Sequence, residues 1–65
     1  MTKEEKIVYL QSQMLCAYIE TQAMIADNQD RLSRNQNIGY VDSSFMDVIS
    51  RYQISSNDVI EFLRD

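Results

Sequence analysis

The chain has 65 residues, one cysteine, no histidine, no proline and a formal net charge of -4. That length holds one domain, whose lone core has little free energy to spare; the cysteine count and missing histidines exclude an intrachain disulfide and a zinc site. With neither a disulfide nor a metal, oligomerisation is the support left for so small a core, and the acidic balance argues against nucleic acid, which proteins bind through cationic neutralisation, and against an anionic membrane surface.

The chain opens on Thr2-Lys3-Glu4-Glu5, a capping-box pattern that starts a helix. From there to about Arg34 no proline or glycine interrupts, and alanine, leucine, methionine, glutamine and charged residues favour helix. Asp27/Arg31 and Asp30/Arg34 are i,i+4 pairs with the acid on the N-terminal side, each worth about 0.2–0.5 kcal/mol. The predicted helix covers about residues 3–34 and runs about 45 Å at 1.5 Å per residue.

Within it, Ile7–Ile19 has ten apolar residues in thirteen. A surface helix needs one apolar stripe; this one is coated on nearly every bearing except the line through Gln13. Ile7, Met14, Thr21 and Asn28 share one heptad track, and Leu10, Ala17, Met24 and Arg31 share another. This seam fades after Met24, and apolar character drifts to Tyr18, Ile25 and Leu32, as a straight helix drifts against a 3.5-residue repeat. Val8, Leu15 and Ile19 form a second flank, while Lys6, Gln13, Glu20, Asp27 and Arg34 keep one line polar. So broad a coat predicts self-association through Ile7, Leu10, Met14, Leu15, Tyr18, Ile19 and Ile25. Asn28 on the fading seam is either simple loss of the seam or a polar residue that fixes helix register.

Asn35–Val41 is the break, with Asn35, Asn37 and Gly39 suited to turns. A loop is expected over about 35–42 and a second helix over about 44–52, starting near Ser43 or Ser44, the latter giving Ser44-x-x-Asp47 as a capping box. A third, over about 56–64, starts on Ser55-x-x-Asp58 with Ile54 and Val59 as a hydrophobic staple. All of 1–65 reads as a single all-α domain: one long N-terminal helix, then two short helices folded against it, paired as a helical-bundle homodimer.

No catalytic, cofactor-binding or metal-ligating set emerges. Without histidine, acid–base work near neutrality needs a strongly shifted carboxylate or cysteine, and no nucleophile–base pair is present, so an enzyme is not expected. Cys16, in the most apolar segment, reads as a buried structural thiol. Asp58, Glu61 and Asp65 lack the spacing of a calcium loop. Lys3 and Lys6 before an apolar run suggest a signal peptide, but Glu4, Glu5 and the internal glutamines oppose that reading. The run is also too short to span a bilayer.

The sequence therefore reads as a small acidic helical interaction protein, an accessory or regulator acting by stoichiometric binding. Its expected partners are a second copy and another protein, with no nucleic acid, membrane or cofactor; its expected setting is the cytoplasm of a bacterial or phage-infected cell. Tyr40, Phe45, Tyr52, Asn57 and Glu61 on the C-terminal segment are the candidate partner surface. Two alternatives compete. One is a small transcriptional regulator or DNA-mimicking binder that uses the last two helices, for which a basic patch of Arg31, Arg34, Arg51 and Arg64 would speak. The other is a subunit of a larger assembly.

Overall fold

The computed structural model describes residues 1–64 as an all-helical chain: α1 (Lys3–Ser33), α2 (Asp42–Tyr52) and α3 (Ser56–Leu63). Asp65, a member of the acidic trio considered above, lies outside the described residues. Thr2 caps α1 as a full box. Its hydroxyl accepts from the Glu5 N–H at 3.1 Å, and its own N–H donates to Glu5 Oε1 at 2.9 Å. Two amides that the first turn leaves unpaired are thereby satisfied. The same contact holds the Glu5 carboxyl below the usual carboxylate range.

Both α1 and α2 end on a left-handed residue. At Asn35 (φ 60) the Gln36 N–H reaches back to Arg31 O at 2.8 Å; at Gln53 (φ 55) the Ile54 N–H reaches Ile49 O at 3.2 Å. These are Schellman closures, which pair otherwise orphaned carbonyls. Asparagine tolerates that conformation better than glutamine. Gly39, expected to supply turn freedom, has no positive φ. It serves a close approach instead: a Cβ there would stand 3.1 Å from Arg31 Cζ.

The second helix begins two residues before Ser44. Val41 is its N-cap, in extended conformation, and it has no side-chain acceptor for the first-turn amides. Ser44 is not the cap but the third helical residue, and its Oγ accepts from the Val41 N–H at 3.2 Å. The start is set by tertiary contact, because Asn28 in α1 grips the incoming loop. Its Oδ1 accepts from the Gly39 and Tyr40 N–H groups at 3.1 and 3.0 Å, and its Nδ2 donates to Tyr40 O at 2.8 Å. In α3, Ser55 caps as expected, accepting from the Asp58 N–H at 3.3 Å. The return arm differs from a full box: the Ser55 hydroxyl donates to Asp58 Oδ2 at 2.8 Å. Aspartate, one methylene shorter than glutamate, meets the hydroxyl where Glu5 meets a backbone amide.

Among the described residues, α2 and α3 both pack on α1 and not on each other. The contact line on α1 is Leu10, Ala17 and Met24, seven residues apart and all buried; Val48 of α2 clusters with Ala17 and Met24, with Phe45, Tyr52 and Ile54 alongside. At the other end Tyr9 meets Phe62 of α3, ring centroids 5.4 Å apart, and Lys6 Nζ lies 5.8 Å from the same ring. The polar line of α1 borders this seam. Gln13 Nε2 donates to Tyr52 O at 3.5 Å and Glu20 Oε1 accepts from Arg51 at 2.7 Å. The short helices therefore sit on the edge between α1's apolar track and its polar line. Cys16, expected in the core, is exposed, because that packing covers the Leu10 track and leaves the opposite half of the helix bare.

Candidate interaction surface

With α2 and α3 on one side of α1, the apolar residues on its other side have no cover. Val8 is 63 % exposed, Leu15 60 % and Tyr18 61 %. Ile7, Met14, Ile19, Ile25 and Leu32 join them as exposed residues. At about 100° per residue Val8, Leu15 and Ile19 lie roughly opposite the buried track, Tyr18, Ile25 and Leu32 to one side of it, and Ile7 and Met14 at its edge, so together they form one broad band along α1. Of the seven residues expected to mediate self-association, six lie in this band. The seventh, Leu10, is 7 % exposed and is spent on its own chain.

The band continues into an apolar groove between α1 and α2, bounded by Met14 and Tyr18 on one wall and Phe45, Met46 and Ile49 on the other. Met46 projects from α2 and is itself exposed. Thioether and phenol side chains at such an edge supply adaptable contact area.

The shape of the chain fits this exposure. Its radius of gyration is 15.1 Å, where a compact chain of 65 residues has about 11 Å. Its accessible surface is 5121 Å², where a compact monomer of this mass exposes about 4300 Å².

The five C-terminal residues expected to meet a partner are not brought together. Phe45 and Tyr52 pack against the core, and the neighbouring Glu20 carboxylate raises the Tyr52 phenol's pKa. Tyr40 is on the loop held by Asn28 and borders a separate cleft with Phe45. Asn57 and Glu61 are exposed on α3, with Glu61 bonded to Arg64 at 3.1 Å.

Charge is arranged as local pairs. Arg31 meets Asp27 at 2.8 Å, Arg34 meets Asp30, Arg51 meets Glu20 at 2.7 Å and Arg64 meets Glu61. Each arginine thus carries its own carboxylate. The Arg51 and Tyr52 contacts hold Glu20 below the usual carboxylate range. Among the described residues no group of three or more His, Cys, Asp or Glu side chains is placed to hold a metal ion, and no helix is long and apolar enough to cross a membrane. Asn28, read from the sequence as either loss of the seam or a residue that fixes helix register, binds a loop of its own chain. Its spacing of eleven and twelve residues from Gly39 and Tyr40 leaves no periodic trace in the sequence.

Comparison with known protein families, curated proteins and solved structures finds no match for this chain.

Proposed function

We propose that this protein is a small acidic helical interaction module that works by stoichiometric binding and not by catalysis, in an accessory or regulatory role in the cytoplasm. It pairs with a second copy through the outward band of α1 and offers the remaining surface to a protein partner. The observation that carries this reading is the uncovered band from Ile7 to Leu32 on the face of α1 that its own short helices leave bare. Monomeric soluble proteins rarely expose contiguous apolar patches larger than a few hundred Å². The lone cysteine and the small core leave assembly as the means of stabilisation. A nucleic-acid role finds no support in the charge arrangement, because the four arginines that a basic patch needs are each paired with an acid. Sedimentation equilibrium tests the reading: a folded dimer or larger homo-oligomer at micromolar concentration is expected, and a folded monomer there would reject it.

A further inference from the structure

The outward band of α1 has an internal order that the apolar count alone conceals. Its centre line runs Glu4, Val8, Gln11, Leu15, Tyr18, Gln22, Ile25, Gln29, at alternating intervals of four and three residues, and every one of these eight residues is exposed. Such spacing is the 3.5-residue repeat of a helix pair. By class the line reads polar, apolar, polar, apolar, then apolar, polar, apolar, polar. It is the same in both directions about a point between Cys16 and Ala17.

A two-fold pair of antiparallel helices brings residue i of one chain against residue j of the other, and j against i. A line that is symmetric in class is what that operation needs, since each layer then matches like with like. We propose that a second copy of this chain lies antiparallel along this line. Val8 faces the partner's Ile25, Gln11 the partner's Gln22, Leu15 the partner's Tyr18, and Glu4 the partner's Gln29. This deepens the self-pairing proposed above and rests on it.

Three physical arguments favour the arrangement. First, the Gln11–Gln22 layers place amide against amide, so each donor and acceptor has a counterpart; a slip by one heptad sets Gln11 against Leu15 or Gln22 against Tyr18 and leaves a buried amide to be satisfied by less apt groups. Second, a parallel pair would set Glu4 against the partner's Glu4, two like charges at one end. The antiparallel pair gives that carboxylate a glutamine amide instead. Third, antiparallel helices oppose their macrodipoles favourably. Ile7, Met14, Ile19 and Ala26 flank the line and widen the apolar contact.

The test uses single-cysteine variants in a Cys16→Ser background, Cys16 being exposed and off the line. In the proposed pair, Gln11 of the two chains lie about 16 Å apart along the axis, at 1.5 Å per residue, beyond the 4.4–6.8 Å Cα separation typical of a disulfide. Gln11→Cys alone and Gln22→Cys alone should therefore stay uncross-linked after mild oxidation. A mixture of the two, allowed to exchange subunits, should give the mixed disulfide dimer. Cross-linking of Gln11→Cys with itself would overturn the arrangement in favour of a parallel pair. A charge exchange gives a second reading without oxidation. The Gln11→Glu/Gln22→Lys double variant should dimerise at least as tightly as the parent, whereas a parallel pair would weaken at least tenfold from facing like charges. Sedimentation of the parent separates the two levels of failure: a monomer rejects self-pairing altogether, while a dimer with the wrong cross-links rejects only the antiparallel register.

Discussion

Asn28 sits on an α1 track that otherwise carries Ile7, Met14 and Thr21, yet its side chain makes three hydrogen bonds to the loop before α2. A net intramolecular hydrogen bond contributes about 0.5–1.5 kcal/mol, less where water competes. We expect Asn28→Ala to destabilise the fold by about 1–2 kcal/mol in urea denaturation, with faster proteolytic cleavage between residues 35 and 41. Unchanged stability and cleavage would mean that the loop is held by other contacts. Val41 presents the opposite case, an N-cap with no acceptor whose side chain is half exposed. Its extended backbone already suits a capping serine, so Val41→Ser should stabilise α2 by about 0.5–1 kcal/mol. A thermal midpoint at or below that of the parent would show that apolar contacts of Val41 outweigh the missing cap.

At the scale of elements, α2 is tied to α1 by an apolar seat around Val48 and by a polar tie of Glu20 to Arg51, with Glu20 held below its ordinary pKa. The folded Glu20 pKa lies below its ordinary value, so the carboxylate contributes stability above the unfolded pKa. That contribution is lost as pH falls through the lower folded value. Glu5, depressed by Thr2, behaves with the same sign. Urea midpoints followed from neutrality down through the carboxylate range, about pH 5 to 3, should fall for the parent and fall less steeply for Glu20→Gln. Parallel slopes would mean the tie adds nothing to holding α2 in place.

How far the elements can be read from sequence follows from which signals are local. The Thr2 and Ser55 caps and the uninterrupted run to Ser33 are written in neighbouring residues, and those starts and that length are visible without coordinates. The α2 start is not, because it depends on Asn28 reaching across to Tyr40. The exposure of Cys16 and the burial of Leu10 are likewise not local. An all-round apolar helix does not say which of its tracks its own chain will cover. The structure assigns that cover to Leu10, Ala17 and Met24 and to the polar line beside them. The outward band is what remains, and it becomes visible only by subtraction.

For the whole molecule, the elongated outline and the uncovered face of α1 follow from one cause: two short helices are too small to wrap a helix of 31 residues. The face proposed to take a second copy has Leu15 near its middle. A carboxylate buried there costs several kcal/mol or must be protonated. Since Leu15 is exposed within its own chain, Leu15→Asp leaves the contacts of Val48 and the Leu10 track untouched. Sedimentation equilibrium of the parent and of Leu15→Asp, run side by side at micromolar concentration, is the most direct measurement. The account predicts a parent mass of at least twice 7.6 kDa and a variant shifted to the monomer. A folded parent at the monomer mass, or a variant whose assembly matches the parent's, would contradict it.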